Sequence, residues 1–364
     1  MVASRNQRDC PAAIEGTSMD TVAQLSKRER IDLFQEASAR KGNMSPAIVE
    51  KDFWVCWTLK RLFTVTDNFP RFIFKGGTSL SKVFKLIGRF SEDIDLSCNR
   101  GDLGFVGEKD PSKNMSGKKR KRLLNELEVS CVGYIADSLI PALRENFSTI
   151  IGNPQEVDLP WNLTIDKENP QTILFSYPAA VPESETGILP YIQPVIRLEI
   201  GARSDQWPSG EYDIQPYAAE VFPELFEVSS CSINTLQVKR TFWEKATLLH
   251  AEFYRPPGKK IGDRLSRHYY DLACLAQSPI RGELIQDLDL LEAVVSHKNI
   301  FFRSAWASYE TARVGTFRLM PPSNRIHSLK IDYRKMEEMF FEEPPPFESI
   351  IETLEKLEHE INDK

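Results

Sequence analysis

Residues 72–96 read FIFKGGTSLSKVFKLIGRFSEDIDL, a segment that contains a strand, a glycine turn, a helix and a second strand in one short unit. The aromatic and β-branched residues before Lys75 predict the first strand. Gly76 and Gly77 follow directly, and they let the backbone turn sharply and approach a ligand without a Cβ in the way. This turn therefore marks a candidate binding site.

A helix is predicted after the turn, because apolar residues recur there at i, i+3, i+4 and i+7. The residues of this stripe are Leu80, Val83, Phe84 and Ile87. The same periodicity predicts that Lys82 and Lys85 face solvent, and Gly88 is expected to end the helix.

Two acids separated by one apolar residue, Asp93, Ile94 and Asp95, form the next predicted strand. Side chains alternate along a strand, so both carboxylates are expected on one face and Ile94 in the core. Adjacent carboxylates repel one another, and Mg²⁺ would compensate them because it binds one or two carboxylates together with substrate phosphates. The alternative is a solvated strand end that carries two acids and has no site.

A Gly-Gly-Thr turn, a helix and an Asp-x-Asp strand in this order resemble the DNA polymerase β-like nucleotidyltransferases. KGGTSLSKVFKLIGRFSEDIDL in particular resembles the AbiEii/AbiGii-type nucleotidyltransferase toxins, the family that includes the MenT toxins. Segments 45–63, 240–253 and 263–275 resemble the other family blocks in the same order. The resemblance implies an α/β (α+β) fold, with a polymerase β-like core built on a mixed sheet and a helical C-terminal domain.

The resemblance also implies an NTP substrate and catalysis by two Mg²⁺ ions held by Asp93 and Asp95. Backbone amides of the glycine turn and a Thr or Ser hydroxyl would cradle the triphosphate. The residues expected to bind the nucleotide are Lys75, Gly76, Gly77, Thr78, Ser79, Lys245 and Arg264.

The resemblance to polymerase β-like enzymes further implies a third carboxylate on a neighbouring strand, where it would complete a metal site and take the proton of the acceptor hydroxyl. Glu199 is the candidate, because residues 194–200 alternate cleanly and place it opposite the core face. The alternative is that Glu199 pairs with an arginine across the sheet.

In the helical region, Lys245 flanks an apolar stripe at the family's lysine position, where it would meet the nucleotide phosphates. Arg264, His268 and Asp271 follow at i, i+4 and i+7, which predicts one helix face. Asp271 corresponds to a further family block, so the resemblance implies that Asp271, like Lys245, is a catalytic residue. The alternatives are a surface lysine with a buried stem for Lys245, and an ion pair between Arg267 and Asp271.

Three other features have a functional and an ordinary interpretation. Lys51 and Asp52 are candidates for supporting the active site, although a helix-surface ion pair is the simpler interpretation. Lys118 to Arg122 are five consecutive cations, which could contact a phosphate backbone or be a solvated face. Five C-terminal aromatic residues are interpreted as core rather than as partners that stack on bases: Phe301, Phe302, Trp306, Tyr309 and Phe317.

The composition indicates a soluble protein of the cytoplasm. The chain has 364 residues, 41% hydrophobic and 27% charged, and a net charge of −6, so RNA would have to bind a local basic patch. Six scattered cysteines without a Cys-x-x-Cys motif favour a reducing compartment, and no apolar segment is long enough to span a membrane. We expect a loose leader at 1–20, a nucleotidyltransferase core at 21–230 and a helical domain at 231–364.

The function that the sequence predicts is a nucleotidyltransferase toxin of a type IV-like toxin–antitoxin or phage-defence system. Such an enzyme would transfer a nucleoside monophosphate from an NTP to an acceptor hydroxyl, with the tRNA 3′ end as the first choice of acceptor and a cognate antitoxin as partner. Two alternatives stay open: an inactive nucleotide-binding module that acts through an antitoxin complex, and an enzyme that modifies a protein.

Overall fold

The computed structural model describes residues 18–42, 44–65, 70–154, 156–182, 193–226 and 228–364. The chain begins there with three helices: α1 (Met19–Gln24), α2 (Lys27–Lys41) and α3 (Pro46–Thr64). Ser45 caps α3 by accepting a hydrogen bond from the backbone N–H of Ile48, and Pro46 occupies the first helical position. Most of the predicted leader lies outside the described residues, but its last two residues already belong to α1.

In the part of the chain that the structure describes, seven strands form one mixed sheet in the order β3-β4-β5-β2-β1-β7-β6. The strands are β1 (Phe72–Lys75), β2 (Ile94–Cys98), β3 (Asn162–Ile165), β4 (Thr172–Ser176), β5 (Val195–Gly201), β6 (Ser209–Ile214) and β7 (Cys231–Leu236). Strand β1 pairs antiparallel with β2, while β2–β5 and β1–β7 are parallel pairs. The mixed sheet confirms the predicted α/β fold.

Helices lie between the strands and after the sheet. Between the strands lie α4 (Gly76–Lys82), α5 (Gly117–Tyr134), α6 (Ile140–Ile151) and α7 (Tyr217–Val221). After the sheet come α8 (Val238–Phe253), α9 (Ser266–Gln277), α10 (Arg281–Gln286), α11 (Leu288–Phe301), α12 (Ser323–Arg334) and α13 (Phe347–Asn362). The chain therefore becomes helical at Val238 rather than at residue 231, because residues 231–236 complete the sheet as β7. The division into domains at residue 230 stays a prediction.

Apolar side chains form two clusters that match this arrangement. One cluster contains the sheet residues together with α1–α3, α5 and α6, and the other contains the helices after the sheet. Leu80 and Ile87, which lie in and after α4, belong to the second cluster. The segment around the glycine turn therefore joins the sheet to the C-terminal helices.

The helix after the glycine turn is shorter than its periodicity predicts. It ends at Lys82, and Lys85 adopts a left-handed backbone conformation with φ of 53°. Lys82 is buried, contrary to the prediction that it faces solvent, because its Nζ lies 2.8 Å from Asp52 Oδ1 and 3.6 Å from the centre of the Tyr217 ring. Lys85 is exposed as predicted.

Lys51 and Asp52 do not form a helix-surface ion pair. Both side chains are buried, and they point to different partners: Lys51 Nζ lies 2.6 Å from Glu92 Oε2, whereas Asp52 pairs with Lys82. The surface interpretation is wrong because α3 is covered by the sheet on one side and by α7 on another. Lys51 thus reaches the residue next to Asp93.

Within the described ranges, no helix combines the length and the hydropathy that a membrane crossing requires.

Candidate active site

A cleft of about 340 Å³ lies between the ends of the central strands β1 and β2 and the C-terminal helices. Its sheet side is lined by Lys75, the glycine turn, Asp93 and Asp95, and its helical side by Lys245, Arg267 and His268. This volume is within the range of small-molecule sites. The segment 72–96 thus provides one wall and α8 with α9 the other.

The glycine turn has no room for side chains. Gly76 has φ of +84°, and a Cβ there would overlap Asp95 Oδ2. A Cβ on Gly77 would lie 2.8 Å from Arg89 Nη2 and 3.0 Å from Ser91 Oγ. Both glycines are therefore required for the Asp95 carboxylate and the Arg89 guanidinium to lie against the turn.

Asp93 and Asp95 both line the cleft, and neither carboxylate is fully compensated. Asp93 Oδ2 accepts a hydrogen bond from Arg267 Nη1 at 3.2 Å, while Asp93 Oδ1 is buried and has no hydrogen-bond partner among the described residues. Burial raises the pKa of Asp95, and the nearby Asp93 charge raises it further although Lys75 opposes both. Two neighbouring carboxylates that are incompletely compensated can bind a cation.

Glu199 lies beside Asp95, because β2 and β5 pair in parallel with these two residues in register. Burial and then the charges of Asp95 and Asp93 raise the pKa of Glu199. Its side chain is 40% exposed, its carboxylate lies 3.6 Å from Arg197 Nε, and it is not among the residues that line the cleft. The arginine near Glu199 is thus on the same strand rather than across the sheet.

The carboxylates of the cleft supply some, but not all, of the oxygen ligands that Mg²⁺ requires. In the described part of the chain, no three acidic, histidine or cysteine side chains are grouped closely enough to hold a metal ion, so Asp93, Asp95 and Glu199 do not form a complete site. Asp93 Oδ1 nevertheless has no partner, and Asp95 lies next to it. Mg²⁺ needs only one or two carboxylates when substrate phosphates supply further oxygen ligands, so these two residues fit it.

Asp271 is fully buried and held by two cations. Arg89 donates from Nε and Nη2 to its two oxygens at 2.8 Å each, and Lys245 donates from Nζ at 2.8 Å. Although burial raises the pKa of Asp271, the Arg89 and Lys245 charges hold it well below its ordinary value. The alternative interpretation, an ion pair of Asp271 with Arg267, is wrong because Arg267 pairs with Asp93 instead.

Lys245 lies on α8, in the helical region where the sequence predicts it, and its side chain lines the cleft. Its Nζ contacts Asp271 and lies 3.3 Å from His268 Nδ1. Burial lowers the pKa of Lys245 while Asp271 opposes this effect. Burial, with the Lys245 charge, also places the pKa of His268 well below its ordinary value, so His268 is neutral at pH 7.

Three predicted nucleotide-binding residues are placed elsewhere. Arg264 lies before α9 with φ of 59°, so it does not share a helix face with His268 and Asp271, and its Nη1 contacts Glu92 at 3.1 Å. Thr78 Oγ1 donates to the Asp93 carbonyl at 2.5 Å, and Ser79 Oγ donates to the Gly76 carbonyl at 2.9 Å. Both hydroxyls are thus used within the protein and do not line the cleft.

The sequence did not single out several cleft residues. Arg89 follows Gly88 within residues 72–96, and Arg267 lies one turn before Asp271. Their closeness in sequence to predicted site residues is the signal that indicates a place in the cleft. Thr241, His297 and Lys298 also line the cleft, and no sequence pattern marks them.

The remaining candidate residues lie at the surface, in the core or in the cleft. Lys118 to Arg122 begin α5 and are largely exposed, and none of them lines the cleft. Phe301 and Phe317 are core residues as predicted. Phe302 and Tyr309 instead line the cleft, and Phe302 is 42% exposed, so the core interpretation is wrong for these two.

The glycine turn, Asp93 just before β2, Asp95 within β2 and Lys245 on the facing helix line one cleft, as the nucleotidyltransferase resemblance predicts. A family model described as the nucleotidyl transferase AbiEii toxin of type IV toxin–antitoxin systems matches residues 57–353. The chain belongs to this family. No curated protein sequence matches it significantly.

Two solved structures are similar in outline. MenT4, a nucleotidyltransferase toxin from Mycobacterium tuberculosis, is 15% identical with a TM-score of 0.42, over 93% of this chain and 97% of that one. JHP933 from Helicobacter pylori is 15% identical with a TM-score of 0.34, over 88% of this chain and 98% of that one.

Proposed function

We propose that this toxin-family protein transfers a nucleoside monophosphate from an NTP to a hydroxyl of RNA, with the tRNA 3′ end as the expected acceptor, in the cytoplasm. The observation that carries the proposal is the incompletely compensated pair Asp93 and Asp95 beside the glycine turn, with Lys245 on the opposite wall. The family supports the transferase class and an antitoxin partner. A role in phage defence remains part of the proposal.

In the proposed reaction, the acceptor oxygen forms a bond to the α-phosphorus, the bond between that phosphorus and the bridging oxygen to the β-phosphorus breaks, and pyrophosphate leaves. The proton of the acceptor hydroxyl passes to a carboxylate, and we assign Glu199 to this role for an acceptor that approaches from outside the cleft, because Glu199 lies beside Asp95 in register and its pKa is raised. Bound Mg²⁺, held by Asp93 and Asp95, would neutralise charge on the reacting phosphates.

The cations of the cleft would bind the triphosphate. Lys75 stands at the start of the glycine turn, and Lys245 extends from α8 on the facing wall. Asp271 and Arg89 do not touch the substrate in this scheme. They hold the Lys245 ammonium in place, so we assign them as positioning residues.

The experiment that tests the proposal incubates the protein with each NTP labelled at the α-phosphate, Mg²⁺, and either total RNA or total protein. We expect label on RNA, concentrated in the tRNA fraction and absent with Asp93→Asn. Label on protein would show a protein-modifying enzyme instead. No transferred label with any NTP or acceptor would favour the inactive nucleotide-binding module.

A further inference from the structure

The cleft continues past Lys245 to an end formed by α8 and α11, which the reaction above does not use. Two buried polar atoms line this end without a hydrogen-bond partner: Thr241 Oγ1 and His297 Nε2. These residues are only 3% and 8% exposed. A buried polar atom that lacks a partner destabilises the folded protein, and a ligand that bonds to both atoms would remove that destabilisation.

A third polar group stands next to them. Lys298 Nζ donates to the backbone carbonyl of Glu244 at 2.7 Å and lies 5.7 Å from the centre of the Tyr309 ring. Burial lowers the pKa of Lys298 to about 8, with the Glu244 charge opposing the shift. An ammonium has three N–H groups, so Lys298 retains donors for a ligand.

Aromatic surface completes this end of the cleft. Phe302 is 42% exposed although it lines a concave site, and Tyr309 lies nearby. His297 is stacked on Phe301, with 4.6 Å between the ring centres, which fixes the plane of its imidazole. Because burial lowers the pKa of His297 to about 4, the ring is uncharged at pH 7 and can both donate and accept.

The charges at this end are mixed, because the cations Lys75 and Lys298 lie near the Glu244 carboxylate. The Glu244 carboxylate also lines it, and although burial raises the pKa of Glu244, the charges of Lys75 and Arg240 keep it below its ordinary value. An ionised carboxylate repels phosphate oxygens. A flat, uncharged ring with its own donors and acceptors fits the aromatic face and the unpartnered atoms better.

We propose that Thr241, His297, Lys298 and Phe302 form the subsite for the base of the bound nucleotide. The inference rests on the proposed function, since it supposes that the triphosphate lies at the glycine turn. It adds the recognition of the base: Phe302 stacks on its face, while the other three side chains contact its polar edge.

The test measures dissociation constants of the full chain with Mg²⁺ and α,β-methylene analogues of the four NTPs, which cannot be transferred. Inorganic tripolyphosphate is the second probe, because it carries the phosphates without a base. We expect Phe302→Ala and Thr241→Val each to weaken the preferred analogue by about 10-fold or more and to leave tripolyphosphate within about twofold. Lys298→Met is expected to change the order of preference among the four bases.

Two matched controls exclude indirect effects. Thr247→Val makes the same substitution on α8 at a hydroxyl that bonds to its own helix, and Ile331→Ala removes a side chain that is 43% exposed on α12. Both should bind like the wild type.

Unchanged affinity for every analogue in all three variants would overturn the subsite while the proposed function stands. Equal losses of analogue and tripolyphosphate would also overturn it, because the residues would then act on the phosphates or on the fold. If the wild type binds neither probe, the proposed function fails and the subsite fails with it.

Discussion

The two acidic regions of the cleft differ in how completely cations and hydrogen bonds neutralise their carboxylates. On the helical side, Asp271 receives three hydrogen bonds from Arg89 and Lys245 and is fully buried. On the sheet side, Asp93 receives one side-chain hydrogen bond from Arg267, and one of its oxygens has no partner. The difference indicates that Asp271 is complete within the protein, whereas Asp93 and the neighbouring Asp95 have capacity for a bound cation.

This comparison separates roles that the family resemblance alone grouped together. A carboxylate whose oxygens are bound by buried cations orients those cations, and its removal would leave their charges buried and uncompensated. A carboxylate with an unpartnered oxygen pays a desolvation cost that a ligand removes. Substitutions on the two sides should therefore differ in whether they affect activity or stability.

The largest expected effect on activity comes from the sheet side. Asp93→Asn and Asp95→Asn should each lower transfer by at least about 10²–10³-fold, the scale for loss of one preorganised electrostatic group. The measurement is initial rates with labelled NTP, beside circular dichroism to establish that the variants fold. Near wild-type rates in either folded variant would contradict the metal-binding role.

On the helical wall, Lys245→Ala should lower turnover by about 10²-fold, because its charge is then missing where the triphosphate lies. Lys245→Arg should restore only part of the rate, since a planar guanidinium does not replace a compact ammonium. Lys239→Ala on the same helix is the control, because Lys239 pairs with Asp287 outside the cleft. A full-rate Lys245→Ala enzyme would remove this lysine from the site.

The largest expected effect on stability comes from Asp271. Asp271→Asn leaves the Arg89 and Lys245 charges buried without their carboxylate, which should reduce the free energy of unfolding by about 3–5 kcal/mol. Asp102→Asn is a matched control, because Asp102 also binds an arginine through two oxygens but at the exposed Arg71. It should cost about 1 kcal/mol or less by urea denaturation. Equal losses in the two variants would contradict the buried clamp.

A smaller effect of opposite sign is expected at Asp95. The pKa of Asp95 is raised in the folded protein, so the protonated carboxyl contributes to stability below its ordinary pKa of about 3.9. This contribution is lost as the pH rises through the raised pKa, because the carboxylate is then charged and buried. With EDTA present, Asp95→Asn should thus melt slightly above the wild type at pH 7 and show a smaller difference near pH 4. Melting curves at several pH values provide the measurement. A variant that melts below the wild type at pH 7 would contradict the uncompensated charge.

The basic segment Lys118 to Arg122 should have the smallest effect, because its members are largely exposed and outside the cleft. Replacing all five residues by Gln should weaken binding of an RNA acceptor and flatten its salt dependence while NTP affinity stays unchanged. The measurement is RNA binding at several salt concentrations. An unaltered salt slope would indicate a solvated surface.

The sequence predicts the local chemistry well and the long-range contacts poorly. The glycine turn, the strand with Asp95 and the alternation around Glu199 follow from spacing between near neighbours. That Lys82 is buried against Asp52, or that Arg89 holds Asp271, depends on contacts between residues 30 and 182 positions apart. Periodicity carries no information about such pairs.

The cleft end near His297 shows the same limit. Phe302 follows α11 directly, so its sequence context resembles that of the buried Phe301, and only the packing of α11 against α8 decides that one ring lines the cleft. The prediction that Arg264 shares a helix face with His268 and Asp271 is wrong for a local reason. Its left-handed backbone conformation places Arg264 before the start of α9.

The most direct test of the account compares NTP labelled at the α-phosphate with NTP labelled at the γ-phosphate, in the presence of Mg²⁺ and RNA. Nucleotidyl transfer at Asp93 and Asp95 predicts label on RNA from the α-labelled NTP alone, release of the γ label as pyrophosphate, and loss of both with Asp93→Asn. Label on RNA from the γ-labelled NTP, or α-label transfer that persists in Asp93→Asn, would contradict it.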